Sequence, residues 1–332
     1  MKAVVIRSFG SVEDLVVEDI ADPVPAAGEV VIDVQATAAN FVDLLVISGK
    51  YQFLPERPFV PGKLPTGVVS ALGDGVDNLK VGDRVLTLAE HGGYAQKALV
   101  AASQCFRLPD GLPFVDAAGM ALAYDTAWFA LHERGRAVAG ETVLVLGASG
   151  GVGLAAIQLA KAYGMHVIAG ISDPGKADLV KEAGAHDCID LSVPDLRNGL
   201  REQVYALTDG KGADVVLDPL GDKYFDAAIR AVAWCGRLVV IGFAAGKIPS
   251  VKVNYLLVKN IEVSGLQVSD YRKRTPGKMA HCMEEIFRLH SEGKLGSLPV
   301  TTYPLRKVKE ALAALRDRTG KGRQVLLPNA PE

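Results

Sequence analysis

Glu141-Thr142-Val143-Leu144-Val145-Leu146-Gly147-Ala148-Ser149-Gly150-Gly151-Val152-Gly153 is the stretch that decides the fold. An apolar strand runs into glycines at 147, 150 and 153, and the small-residue run Leu154 to Ala162 follows at once as a helix. In such a turn one glycine makes the bend, one lets the backbone approach a pyrophosphate, and one lets helix and strand pack closely. The helix N-terminus adds free N–H groups and a positive dipole end, both suited to phosphate. Ser149, Gly150, Gly151 and Val152 are the expected phosphate contacts. No Lys-Ser or Lys-Thr follows Gly153, which argues against a nucleoside-triphosphate loop.

Outward from the turn, strands and helices alternate. Strand His166–Ile171, helix Lys176–Ala183 and a strand around Cys188–Asp190 come first. Helix Leu196–Leu207, strand Asp214–Leu217, helix Tyr224–Ala233 and strand Arg237–Ile241 follow. Such alternation predicts an α/β, doubly wound parallel sheet of the Rossmann type.

The first third is built differently. Val30–Ala36 and Thr66–Gly73 are β-rich, with turns at Gly73-Asp74-Gly75, Val81-Gly82-Asp83 and Gly92-Gly93-Tyr94. Short strands with Gly and Pro punctuation predict a compact β-barrel. Beyond Gly265 the alternation stops, and a tail with helix Lys278–Leu289, strand Thr301–Tyr303, helix Leu305–Arg316 and strand Gln324–Leu327 is expected to fold back on the barrel. The domain reading is therefore residues 1–122 and 266–332 for the barrel and 123–265 for the dinucleotide unit.

A length of 332 residues fits two domains. No apolar run approaches a membrane span, and Met1–Ile6, followed by Arg7, reads as a first strand rather than a signal peptide. Cys105, Cys188, Cys235 and Cys282 lie far apart without paired spacing, which points to a reduced, cytoplasmic setting. A net charge of −2 gives no reason to expect nucleic acid as a partner.

Eight segments carry a resemblance in one order along nearly the whole chain. They are Ala38–Asp43, Ser48–Tyr51, Val81–Val85, Leu108–Leu112, Gly147–Gly153, Asp218–Gly221, Gly236–Gly242 and Val325–Pro328. They are similar to the medium-chain dehydrogenase/reductase superfamily, and within it to the zinc-free NADPH:quinone oxidoreductases related to zeta-crystallin. The resemblance implies a GroES-like catalytic domain interrupted by a Rossmann domain, with the active site in the cleft between them. It also implies a homodimer or tetramer formed through edge strands, here near Val258–Ser264.

Zinc-dependent relatives need a Cys where Asn40 stands and Gly-His-Glu where Gly62-Lys63-Leu64 stands. Catalytic zinc takes three ligands from Cys, His or acidic groups, so a metal-free enzyme is expected. NAD enzymes place an acidic residue at the end of the second Rossmann strand, where this chain has Ile171. Ser172 and Lys176, with Arg318 from the tail as in relatives, would hold the 2′-phosphate of NADPH. Against that, Asp173 is placed to contact a ribose, and Leu191 occupies a position where some relatives use Tyr for the phosphate.

The resemblance further implies that Asn40 donates to an acceptor oxygen and that Tyr51 forms a wall and proton donor. The plainer readings are a helix cap for Asn40 and core packing for Tyr51. Asp43 is expected to order the loop, and Leu64 departs from relatives with an acidic residue. Tyr124 and Thr126 resemble the helix start beside the nicotinamide, and Ile241, Gly242, Phe243 and Ala244 the strand end whose backbone holds its amide. Arg272, Lys273 and Arg274 are either a solvated basic loop or a greeting site for an anionic substrate such as a coenzyme A thioester. The functions implied are NADPH-dependent quinone reduction or, as the alternative, reduction of an activated double bond in an enone, enal or enoyl-CoA. A non-catalytic, crystallin-like nucleotide-binding role is the third.

Overall fold

The computed structural model describes residues 1–320 and 322–330, and the chain divides into two units. One is Met1–Leu122 with the chain from Ser297 onward; the other is Ala123–Gly296.

The second unit holds a six-stranded sheet, parallel throughout. Its strands in chain order are Thr142–Leu146, His166–Ile171, Asp187–Asp190, Ala213–Asp218, Val232–Val240 and Glu262–Gly265. Across the sheet they lie 3-2-1-4-5-6, the doubly wound order in which ligands bind beyond the strand ends where the order reverses. That point lies between Leu146, which leads into the glycine turn, and Asp218. Helices Leu196–Leu207 and Asp222–Ala228 bury Leu200, Val204 and Phe225 against Leu144, Ile168, Val216 and Leu238. Each such side chain contributes roughly 1.5–3 kcal/mol.

Three sequence readings are corrected here. The helix expected over Tyr224–Ala233 ends at Ala228, and Val232 already pairs with Ala213. The register then jumps to Val215 opposite Arg237, and the residues between bulge out, with Cys235 at φ 59° and Trp234 exposed. Nor does the chain leave this unit at 266. Helix Pro276–Ser291 buries Met279, Cys282, Met283, Ile286 and Leu289, a helical stripe, and packs beside helix Ala123–Trp128. The return to the first unit comes at Ser297. Residues 268–274, read as a loop, form a helix whose first turn is capped by the Gln267 side chain.

In the first unit strand Glu29–Ala38 is central. It pairs antiparallel with Thr66–Leu72, Lys97–Ala101 and Arg323–Leu327. Val30, Ile32, Val34, Val69, Val85 and Val100 face one core. Because the tail strand lies against Thr37 and Ala38, Arg323 and Gln324 arrive beside the end of the central strand.

Glycine roles in the dinucleotide turn differ sharply. A Cβ on Gly153 would lie 2.6 Å from the Gly147 and Ala148 carbonyl oxygens, whereas one on Gly150 meets only the Gly147 oxygen at 3.3 Å. Gly153→Ala should therefore cost about 1–3 kcal/mol in chemical denaturation by forcing helix from strand. Gly150→Ala should stay near wild type, and equal losses for the two would contradict this reading.

Candidate active site

In the first unit, strand Glu29–Ala38 ends just before Asn40, which starts helix Phe41–Ile47 with extended backbone. The Asn40 side chain, at the start of that helix, also reaches beyond it. Asn40 Oδ1 accepts from Arg323 Nη2 at 2.8 Å, and its Nδ2 donates to the Ala38 carbonyl at 3.0 Å. Arg323 also donates to the carbonyls of Gly119 and Ala121 at 3.1 and 3.4 Å. The amide is thus held at both ends.

Asp43 orders this loop, as its place in sequence suggests. Its Oδ2 accepts the Asn40 N–H and the Tyr94 hydroxyl, each at 2.8 Å. Burial pushes the Asp43 carboxyl above its usual range, against the opposing pull of the Asn40 N–H, the Lys63 charge and the Tyr94 hydroxyl. Tyr94 in turn fills the space over Gly62, where a Cβ would lie 2.3 Å from its ring. The 61–64 turn is tied to the 89–94 segment by the hydrogen bonds Leu64 N to Ala89 O, Gly93 N to Gly62 O and Tyr94 N to Pro61 O. Lys63, on that turn, reaches Glu90 at 2.5 Å and lies 5.6 Å from the centre of the Tyr51 ring. Tyr51 is half-buried, edge-on to Phe53 at 6.2 Å.

In the second unit the glycine turn ends at Gly150, which starts helix Gly151–Ala162 and brings no side-chain cap to its N-terminus. Gly150 is exposed, and Ser149, Gly151 and Val152 are partly so. The N–H groups of the first helical turn have no intrahelical partner. An open, positive helix end at a sheet switch point fits a pyrophosphate. Ile171 is buried and Ser172 exposed, so the strand end offers a hydroxyl where an acid would be needed for ribose. Asp173 instead caps the next turn through Gly175 N at 3.0 Å, with Lys176 following, half-buried. Leu191 is core, packed over Gly170. Arg318 is an exposed residue of the other unit, at φ 58°.

Beyond strand Val232–Val240, the Ile241 N–H is held by the Asp218 carbonyl at 2.8 Å and the Ala244 N–H by that of Pro219 at 3.0 Å. Gly242 and the exposed Phe243 lie between them. Thr126 is buried, and its N–H bonds the Asp125 carboxylate at 2.6 Å. The Tyr124 hydroxyl donates to Gln158 at 2.7 Å within the core. Arg272 corrects the sequence reading most plainly. It is buried, with its Nη2 2.6 Å from Asp125 Oδ2, so it does not greet solvent beside Lys273 and Arg274.

Comparison with known proteins settles the family. The alcohol dehydrogenase GroES-like domain matches residues 26–110, and the zinc-binding dehydrogenase family matches residues 151–285. The quinone oxidoreductase-like protein 2 homolog of Nematostella vectensis is 35% identical over 98% of this chain and 88% of its own. This chain belongs to the quinone oxidoreductase family of the medium-chain dehydrogenases/reductases. Among solved structures, Pseudomonas syringae quinone oxidoreductase is similar with a TM-score of 0.91 and 31% identity, covering 98% of this chain and 99% of that one. Escherichia coli quinone oxidoreductase complexed with NADPH is similar with a TM-score of 0.90 and 28% identity, covering 99% and 100%. The two units are accordingly a GroES-like domain and a Rossmann domain.

Zinc appears in one of the matching family descriptions, and the residues at its position in this quinone oxidoreductase family member do not fit the ion. Asn40 gives its oxygen to a guanidinium, Lys63 presents an ammonium, and Leu64 is a buried hydrocarbon. A dication would face two cations rather than ligands. Among the described residues no three His, Cys, Asp or Glu side chains gather as a metal site.

Sequence reasoning missed Arg323, Glu90, Tyr94 and the second-unit pair Arg272–Asp125. It also missed Asp218, which sits at the sheet's switch point. Asp218 Oδ1 accepts the Leu220 and Gly221 N–H groups at 2.8 and 2.9 Å, while Oδ2 is buried with no partner among the described residues. Burial pushes this carboxyl up to about 6 from its usual 3.8, despite those two N–H groups. The folded state therefore holds the proton to higher pH than the unfolded chain. Stability from this group is present in acid and lost as pH rises from about 4 to 6, an effect of about 3 kcal/mol. Urea denaturation from pH 4 to 8 should show that fall in the difference between wild type and Asp218→Asn; a flat difference would contradict it.

Proposed function

We propose that this protein reduces quinones with NADPH, without a metal. The observation that carries the reading is the open glycine turn at the switch point followed by Ile171 and Ser172 where an NAD enzyme needs an acid. The family's quinone oxidoreductases, including the NADPH complex from Escherichia coli, support it.

In this reading Ser149, Gly150, Gly151 and Val152 hold the pyrophosphate through backbone N–H groups and the helix dipole. Ser172, Lys176 and Arg318 hold the 2′-phosphate, a dianion suited to an ammonium and a guanidinium. Thr126 and the 241–244 backbone position the nicotinamide, Gly242 and Phe243 lying between two N–H groups already committed to the sheet end. The bound dinucleotide supplies hydride. Asn40 presents its amide to the acceptor oxygen, in an orientation fixed by Arg323. Tyr51 walls the acceptor site. Conjugated acceptors take hydride readily, so positioning and exclusion of water are the main demands on the protein.

The exposed side chains of Trp234, Val253, Leu257 and Val258, beside the unpaired edge of strand Glu262–Gly265, support a homodimer formed through this face. The four cysteines, none in a disulfide, support a cytoplasmic setting. Among the described residues no helix is long and apolar enough to cross a membrane.

NADPH oxidation against 1,4-quinones, short enals and crotonyl-CoA, with products identified, tests the substrate class. Quinone turnover well above the others is expected, and turnover confined to saturated enal or acyl-CoA products would overturn quinone as the acceptor. For the cofactor, Lys176→Glu should weaken NADPH binding about tenfold or more and leave NADH nearly unchanged. Equal losses for both cofactors would contradict the 2′-phosphate assignment.

A further inference from the structure

A buried ammonium is unfavourable unless paired, and ionisable groups held in such places cluster where chemistry is done. Lys63 is 5% exposed, with Glu90 Oε2 2.5 Å away and the Tyr51 ring centre 5.6 Å away. The turn that presents it is strained: Gly62 has φ 92° and the buried Leu64 has φ 52°, a conformation rarely adopted by a leucine. Gly62 has no room for a side chain because Tyr94 lies over it, and Tyr94 holds the Asp43 carboxylate that holds Asn40. Strain, burial and packing converge on one ammonium in the same constellation as Asn40 and Tyr51.

We propose that Lys63 is the general acid of the reduction, a role that rests on the reductase reading above. When a conjugated carbonyl acceptor takes hydride from NADPH, negative charge collects on its oxygen. An O–H bond forms there as an Nζ–H bond of Lys63 breaks, leaving a neutral amine. Solvent returns the proton through the Glu90 carboxylate, which is partly exposed. The balance is one hydride from NADPH and one proton from water per acceptor reduced. Glu90 pairs with the ammonium, and the Tyr51 ring adds a favourable face for the cation. Lys63 thereby supplies positive charge at the position where metal-dependent relatives place a zinc ligand.

The test compares wild type, Lys63→Met and the double variant Lys63→Met/Glu90→Gln across quinones and enones whose reduced oxygens differ in basicity. Lys63→Met should lower kcat about 10²–10⁴-fold for acceptors that yield a strongly basic oxygen and far less for those that yield a weakly basic one. The Kd for NADPH should not change. The double variant, which removes the Glu90 charge together with that of Lys63, should regain the wild-type thermal midpoint but not the rate. A loss of equal size across the series, or a double variant that regains the rate, would overturn Lys63 as the acid and leave the reductase reading standing. Failure of wild type to oxidise NADPH with any of these acceptors would overturn both.

Discussion

One buried carboxylate organises the first unit around the end of its central strand. Asp43 accepts the Asn40 N–H and the Tyr94 hydroxyl, both at 2.8 Å, away from solvent. A charge in such a place persists only if its surroundings compensate it. The compensation ties distant segments together. Tyr94 needs Gly62 beneath it, Gly62 opens the turn that carries Lys63, and Lys63 finds Glu90. On the other side Asn40 needs Arg323, delivered 283 residues later in sequence by the tail strand that pairs with the central strand. The pairing of the tail strand with the central strand and the geometry around Asn40 are one arrangement.

The same arrangement leaves no ligand set for zinc at this place in the fold. The cations Lys63 and Arg323 stand with the carboxylates Asp43 and Glu90, each charge engaged by hydrogen bonds or an ion pair. In the proposed reaction these side chains supply the positive charge a developing oxyanion needs, held in place by packing.

Much of this was legible in the sequence where periodicity and turn chemistry are local. His166–Ile171 and Leu196–Leu207 run as the pattern predicts, the helix begun by Asp195 accepting the Asn198 N–H. The glycine turn, its helix and the family followed from a contiguous stretch. Pattern failed where tertiary contacts override it. Val232 and Ala233 extend a helical run in sequence, yet they pair with the sheet because the Trp234–Cys235 bulge resets the register. The 268–274 segment reads as a charged surface run, but Arg272 is drawn inward by Asp125, 147 residues earlier. Arg323 had no local signal, because its partner Asn40 is brought near only by the folded chain. Asp218 lay in a recognised segment and bonds its own neighbours Leu220 and Gly221, but its burial at the switch point is set by the sheet.

If NADPH reduces a quinone here through protein charges alone, as proposed, the reaction needs no metal. The most direct measurement is NADPH-dependent quinone reduction after exhaustive treatment with a strong chelator, with residual metal determined on the same sample. Full turnover is expected at a metal content far below one ion per chain. Turnover lost on chelation and restored by zinc would contradict it.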